Sequence, residues 1–154
     1  MMEGEQFLKL AIELARQARA DGNHPFGALL VMDGRVVLTA TNTVITGQDP
    51  TAHAENNLVG QAIRQFSPDQ IARCVLYASC EPCAMCVGAM YWAGIRSVVY
   101  GLPAEELAKL AGPDFLIPCR DLFSRASDTV RVTGPLLIGD ALEVHKGFWS
   151  SPAA

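Results

Sequence analysis

The chain carries the stretch HAE at positions 53–55 and, further along, the stretch PCAMC at positions 82–86. Together they offer one imidazole, from His53, and two thiolates, from Cys83 and Cys86, which are ligand types that zinc prefers. Three protein ligands leave the fourth position of a tetrahedral zinc ion open to water, and the ion lowers the pKa of that water towards neutrality. The two stretches therefore predict one Zn²⁺ per chain with a reactive open position.

Glu55 is predicted to carry protons rather than to bind the metal. Hydrolytic removal of an amine requires a group that takes a proton from water and delivers it to nitrogen. The order H-x-E followed by P-C-x-x-C is the signature of zinc-dependent deaminases of nucleobases. We therefore expect Glu55 to be the catalytic residue.

The spacing of these residues predicts where the metal lies. Cys83 and Cys86 are three residues apart and share a helix face, and Pro82 is favoured at a helix start. The dipole of that helix favours thiolates in its first turn. His53 and Glu55 would point to opposite sides of a helix interior, so both reach one ion only beyond the helix N-terminus. Two helix N-termini are thus predicted to converge on the zinc.

Other interpretations of the cysteines are a redox-active C-x-x-C pair and a closed structural zinc site with Cys80 as the fourth ligand. A structural site, however, has no need for a glutamate two residues after its histidine. Cys80 precedes the expected helix start, and we expect it to be a small buried residue, as are Cys74 and Cys119.

Length and composition favour a single zinc-dependent domain over residues 1–154, large enough to form a core without disulfides. Cysteines are odd in number, at five, and charged residues interrupt the first fourteen positions, so no signal peptide is predicted. No apolar run is long enough to span a bilayer. A soluble, cytoplasmic protein is expected.

Twelve Lys and Arg residues against sixteen Asp and Glu residues give a net charge of −4, with a sequence pI near 5.3. Proteins that bind long nucleic acids usually present a basic face to the phosphates. Arginines are scattered along this chain, so a nucleic-acid partner is not expected.

Hydrophobic patterns alternate between helical and extended segments, which predicts a mixed sheet between helices. Asp33-Gly34 is a strong signal for a two-residue hairpin turn between the first two strands. The strands are predicted at Phe26 to Met32, Val36 to Thr43, Cys74 to Ala78, Ser97 to Tyr100 and Thr129 to Thr133. The helices are predicted at residues 3–20, Ala52 to Gln65, Cys83 to Ala93, Ala104 to Leu110, Asp121 to Ser127 and Gly139 to Trp149.

The zinc motif resembles that of the cytidine deaminase-like superfamily. The resemblance implies an α/β protein with the three-layer α/β/α cytidine deaminase-like fold, in which a five-stranded mixed sheet carries helices on both faces and the metal lies at the strand ends. The strings HPFGALLV, DPTAHAE and LYASCEPCAMCVGAMYWA are similar to those of bacterial guanine deaminases and cover roughly residues 24–100. The resemblance also implies a homodimer.

Deaminases of adenosine in tRNA share DPTAHAE and PCxMCxGAM with this chain. They resemble it less at two points, since they have a small aliphatic residue in place of Phe26 and a basic, glycine-rich segment after the fourth strand. Here that segment reads GLPAEELAKLAG, which is acidic and apolar. A small heterocyclic base therefore suits this chain better than a tRNA loop.

The resemblance also implies a set of substrate-binding residues. Asn42 matches an asparagine that hydrogen-bonds the base, although an asparagine that forms a turn is the alternative. Phe26 and Trp92 are predicted to sandwich a flat ring, with core packing as the alternative for each. Asp114 matches an acid that engages the substrate amidine or helps with proton transfer, but Gly112-Pro113-Asp114 is also ordinary turn chemistry.

His24 and His145 stand at no metal-ligand spacing from the zinc motif, so both are left out of the predicted site. The C-terminal segment departs from the guanine deaminase pattern, in which the tail closes the neighbouring subunit's pocket with an aromatic residue. Phe148 and Trp149 are candidates for that role, which the sequence leaves open.

The predicted reaction is hydrolysis of an exocyclic amine beside a ring nitrogen, with guanine to xanthine plus ammonia as the leading case. Other free bases, pterins and triazines share the amidine. The enzymatic alternatives are tRNA adenosine deaminase and cytosine or nucleoside deaminase. A zinc-stabilised binding module is the alternative without catalysis.

Overall fold

A computed structural model describes residues 4–149, in which five strands form one sheet. The strands are β1 (Gly27–Met32), β2 (Arg35–Thr41), β3 (Cys74–Cys80), β4 (Ser97–Leu102) and β5 (Arg131–Thr133). The helices are α1 (Glu5–Ala20), α2 (Ala54–Gln65), α3 (Pro68–Ala72), α4 (Ala84–Ala93), α5 (Ala104–Ala111), α6 (Cys119–Phe123) and α7 (Ile138–Glu143).

The sheet has the order β2-β1-β3-β4-β5 and is mixed. β1 runs antiparallel to both β2 and β3, whereas β3, β4 and β5 are parallel to one another. Asp33 and Gly34 form the predicted hairpin turn, and both have the positive φ, 51° and 77°, that such a two-residue turn requires. The prediction of an α/β fold with a five-stranded mixed sheet is confirmed.

Side chains of β1 alternate between two apolar layers, as the period of a strand requires. Leu29 and Val31 pack with α1 and α7 on one face of the sheet. Ala28 and Leu30 pack on the other face, with α2, α4 and α6. The zinc motif segments therefore belong to one layer, and the amino-terminal helix covers the opposite side.

Helix boundaries differ from the sequence prediction where capping decides them. Ser67 and Pro68 follow the predicted helix Ala52 to Gln65 and begin a further helix, α3, that was not predicted. Ser67 caps α3 with a capping box, since its side chain and that of Gln70 exchange hydrogen bonds with each other's backbone N–H. α6 begins two residues before the predicted Asp121, and α7 ends at Glu143 rather than at Trp149. Within residues 4–149, no helix combines the length and hydrophobicity needed to cross a membrane.

Candidate active site

The N-termini of α2 and α4 point at the same place, beyond the carboxyl end of β3. His53 and Cys83 are the N-cap residues of these helices, and both have extended backbone, with ψ of 152° and 172°. The side chains of His53 and Cys83 therefore lie just beyond the N-terminal ends of the two helices. Cys86 and Glu55, in the first turns of the helices, reach the same place. This is the convergence of two helix N-termini that the spacing predicts.

The three predicted ligands form one compact group. His53 Nδ1 lies 3.5 Å from Cys83 Sγ and 3.6 Å from Cys86 Sγ, and the three donor atoms lie within 4.8 Å of one another. Zinc bonds of about 2.0 Å to nitrogen and about 2.3 Å to sulfur place tetrahedral ligand atoms roughly 3.3 to 3.8 Å apart. Both nitrogen-to-sulfur distances therefore fit a zinc ion bound by the three residues.

The electrostatics of this group favour a thiolate at Cys83. The hydrogen bond with the Cys86 thiol lowers the pKa of Cys83 to about 4 against the opposing effect of burial, with a further contribution from His53. The pKa of His53 is raised in turn, mainly by its hydrogen bond with Cys83. A deprotonated sulfur is the form that binds metal.

Glu55 is buried beside the ligands, with 7% of its surface exposed. Burial raises the pKa of its carboxyl to about 7, and the negative charge of Cys83 acts in the same direction. A carboxyl that titrates near neutral pH can both accept and release a proton in the same reaction cycle.

A cavity of about 330 Å³ opens in front of these residues. Its floor is formed by His53, Glu55 and Cys83, and its sides come from the segment before β1, from α5 and the loop after it, and from the end of the described chain. The lining residues are His24, Phe26, His53, Glu55, Cys80, Glu81, Pro82, Cys83, Ala104, Leu107, Ala108, Ala111, Gly112, Asp114, Phe115, Leu116, Ile117 and Trp149.

A wider depression of about 590 Å³ lies elsewhere, between the edge strand β2 and α2. It is polar and open, and its lining includes Thr39, Asn57 and Arg64. None of the zinc ligands contributes to it, so the chemistry of the motif belongs to the smaller cavity.

Two of the four predicted substrate-binding residues, Phe26 and Asp114, line the cavity. Asn42 is buried, but it is not among the lining residues, and its Oδ1 accepts a hydrogen bond from the backbone N–H of Val44 at 3.0 Å. This is the turn geometry that the sequence leaves as its alternative. Its contact with a substrate stays a prediction.

Trp92 is not brought to the cavity. It is 86% exposed on α4, whose inward face is taken by Cys86, Val87 and Met90. A residue two positions after Met90 projects from nearly the opposite side of a helix. The predicted sandwich of a flat ring between Phe26 and Trp92 is therefore not formed within this chain.

Trp149 occupies the cavity wall instead, and it reaches there from its own chain. Its ring lies nearly coplanar with that of His145, with an interplanar angle of 11° and centroids 6.2 Å apart, and its Nε1 donates to His145 Nδ1 at 3.0 Å. The centroid of the Trp149 ring lies 6.3 Å from that of Phe26 and 5.5 Å from that of His24. The sequence names Trp149 as an open candidate, and the fold gives it a position.

Two further lining residues, His24 and Glu81, are absent from the predicted site. His24 directly precedes Pro25 and stands two residues before Phe26, and this closeness in sequence to a predicted site residue was the one signal available for it. Glu81 directly precedes Pro82 of the zinc motif, and its position beside the motif was the signal that sequence reasoning did not use.

Residues 1–102 match the model of the cytidine and deoxycytidylate deaminase zinc-binding region. The chain is 41% identical over 149 residues to a probable cytosine deaminase of Schizosaccharomyces pombe (strain 972 / ATCC 24843), which covers 93% of this chain and 90% of the relative. It is 41% identical over 117 residues to the guanine deaminase of Bacillus subtilis (strain 168), which covers 75% of each.

Solved structures agree with the sequence matches. The crystal structure of guanine deaminase from Bacillus subtilis superposes with a TM-score of 0.68 at 37% identity, covering 88% of this chain and 84% of that one. A structure from studies of A-to-I editing by tRNA:A34 deaminases gives a TM-score of 0.73 at 28% identity, covering 91% of this chain and 99% of that one.

Proposed function

The chain belongs to the family of the cytidine and deoxycytidylate deaminase zinc-binding region. We propose that it removes the exocyclic amine of a free nucleobase and that guanine is its preferred substrate. The family is one of zinc-dependent deaminases, and the three-ligand site fits that metal. The observation that carries the proposal is a buried carboxyl, Glu55, beside three metal ligands at the floor of a small cavity.

Zinc held by His53, Cys83 and Cys86 would supply a Lewis acid that makes water a nucleophile at neutral pH. Glu55 would take one proton from the attacking water and pass it to the ring nitrogen of the amidine, while the remaining hydroxyl bonds to the amidine carbon. It would then take the second proton from that hydroxyl and deliver it to the amine, which leaves as ammonia when its C–N bond breaks. The overall change consumes one water and releases ammonia, and it leaves a carbonyl on the base. A carboxyl whose pKa is raised by burial suits both halves of this transfer.

The walls of the cavity suit a flat, uncharged ring. Phe26 and Trp149 offer aromatic faces, and Leu107 adds an aliphatic contact. Asp114 offers a carboxylate that can accept an N–H of the amidine, and Asn42 is the proposed contact with the base edge. A volume of about 330 Å³ is at the small end of ligand cavities, which run from about 300 to about 1,000 Å³.

Guanine is favoured because Asp114 lies in the cavity and because the Bacillus subtilis guanine deaminase resembles the chain in sequence and structure. Cytosine is the second candidate, on one observation. The resemblance to the probable cytosine deaminase of Schizosaccharomyces pombe extends over 93% of this chain, well beyond the zinc motifs. We also propose, from the family resemblance, that the protein forms a homodimer.

Deamination of adenosine in tRNA is disfavoured by charge. The net charge of the chain is −4, and the first turn of α5, the helix that lines the cavity, carries Glu105 and Glu106. Carboxylates on the outer side of a helix beside the cavity disfavour the approach of a phosphate backbone.

Ammonia release by the zinc-loaded protein from guanine, cytosine, adenine and a transcribed tRNA anticodon arm tests the proposal. We expect guanine to be turned over with the highest kcat/KM. Inosine formation in the tRNA without ammonia from any free base would overturn the proposal, and a preference for cytosine would replace the substrate while keeping the mechanism.

A further inference from the structure

Glu81 connects the metal-binding motif to the opposite wall of the cavity through both of its carboxylate oxygens. Oε1 accepts the backbone N–H of Ala104 at 2.9 Å, and Oε2 accepts the backbone N–H of Cys119 at 2.7 Å. The backbone N–H of Glu81 itself donates to the carbonyl of Leu102 at 2.8 Å. The side chain that precedes Pro82 thus binds the backbone at two positions that are distant from it in sequence.

Both bound amides belong to the first residue of a helix. Ala104 begins α5 and Cys119 begins α6, and the N–H groups of a first helical turn have no partner within their own helix. The N-cap positions are Pro103 and Pro118, neither of which makes a side-chain cap. Glu81 supplies the missing acceptor to both helices, and its negative charge is favoured at their N-terminal ends.

The segment between these two amides forms the cavity wall. It contributes Leu107, Asp114 and the stretch 115–117, yet α5 has no buried residue and Phe115 is 71% exposed. Such a segment has little packing of its own to fix its position. Its two ends are the points at which Glu81 binds it.

We propose that Glu81 is a positioning residue that fixes the wall formed by residues 104–119 at the correct distance from the metal-binding motif and so sets the affinity for the substrate. The inference rests on the proposed function insofar as this wall faces the substrate. Glu81 itself transfers no proton in this proposal, because both of its carboxylate oxygens accept hydrogen bonds from backbone amides.

The substitution Glu81→Gln isolates this role. An amide side chain has one acceptor oxygen, so one of the two backbone N–H groups meets an NH₂ group and loses its partner. Glu106→Gln is the matched control, since it makes the same chemical change on α5, where the carboxylate pairs with exposed Lys109.

The first measurement is amide hydrogen exchange of the zinc-loaded full chain, which requires no substrate. In Glu81→Gln we expect exchange across 104–119 to accelerate about tenfold, the effect of losing a hydrogen bond to a charged group. Exchange in α1 and α4, and the zinc content, should match those of the wild type and of Glu106→Gln.

The second measurement is steady-state ammonia release from guanine, or from cytosine if that base is preferred. We expect KM to rise about tenfold in Glu81→Gln while kcat changes less than about threefold, since the residues that transfer protons keep their places. Glu81→Asp should recover part of the affinity because it restores two acceptors on a shorter stem.

Unchanged exchange across 104–119 in Glu81→Gln would overturn the proposal, as would a fall in kcat or in zinc content with KM unchanged. Absence of activity towards every base would instead reject the proposed function and leave the exchange experiment able to decide the role of Glu81.

Discussion

At the scale of single residues, the site depends on three donor atoms that reach one point from two separate segments. Cys86 is fully buried, and Cys83 lies beside it at the start of α4. The spacing within PCAMC is local, so the sequence alone could predict that both sulfurs share a helix face. His53 could be added because zinc requires a further ligand and because HAE completes the signature.

Cys86→Ala should abolish stoichiometric zinc binding and lower the melting temperature, because metal binding adds to folding free energy in such sites. Metal content by atomic spectroscopy and thermal unfolding with and without chelator measure both effects. Cys74→Ala is the control, since Cys74 is buried far from the ligands, beside Gln70. Full zinc content in Cys86→Ala would remove that residue from the ligand set.

Trp149→Leu should raise KM by about threefold to tenfold, because an aromatic contact contributes about 0.5 to 1.5 kcal/mol beyond burial. Zinc content should stay at one ion per chain. Steady-state kinetics with the preferred base measures the effect, and Trp92→Leu, the same change on the exposed face of α4, is the control. Equal KM values for the two variants would take Trp149 out of the proposed substrate contacts.

At the scale of elements, the C-terminal segment is held against α1 by Arg19. The guanidinium donates to the carbonyls of Val144 and Lys146, at 3.0 and 2.6 Å, and lies 5.6 Å from the centroid of the Phe148 ring. These contacts bring Trp149 to the cavity from the opposite end of the chain. No local pattern encodes such a contact, which is why the sequence left the role of this segment open.

His145 gives this segment a pH dependence. Burial lowers the pKa of His145 to about 4, and the positive charge of Arg19 acts in the same direction, whereas an unfolded histidine titrates near 6.5. The folded state therefore binds the proton less readily than the unfolded state. Stability is complete above pH 6.5 and is lost as the pH falls from there towards 4.

We expect the metal-free wild type to lose about 2 kcal/mol more of its unfolding free energy between pH 7 and pH 4.5 than His145→Gln loses. Urea unfolding of both proteins at both pH values measures the two losses. The zinc ligands titrate equally in the two proteins, so their contribution cancels when one loss is subtracted from the other. Equal losses in the two proteins would mean that burial does not lower the pKa of His145 in the folded state.

The helices show which features of secondary structure local sequence patterns can predict. The amphipathic pattern of α1 predicted that helix within two residues of its observed start. α4 is apolar on nearly every side, so its periodicity could not tell which face turns inward and could not correct the placement of Trp92, which rested on the resemblance. α3 was not predicted, although Ser67, Pro68 and Gln70 carry its capping signals, because a proline just after a helix is equally a signal that the preceding helix ends.

At the scale of the whole molecule, the sheet brings the zinc motif, the α5 wall and the C-terminal tryptophan to one place. The layer pattern and the Asp33-Gly34 turn made the sheet predictable, and the family resemblance supplied its number of strands, whereas the strand order came from the structure. The composition of the cavity depends instead on contacts between distant segments, such as Glu81 with Cys119 and Trp149 with His145. These contacts required the folded structure.

The central claim, that Glu55 carries protons for deamination at the zinc site, is tested most directly by ammonia release from guanine with Glu55→Gln and wild type at equal zinc content. The amide keeps the shape of the side chain but cannot take up the proton, and general acid–base catalysis contributes about 10² to 10⁴-fold. The account predicts a loss of kcat of at least about a hundredfold with one zinc ion still bound per chain. Near-normal turnover by the zinc-loaded variant would contradict it.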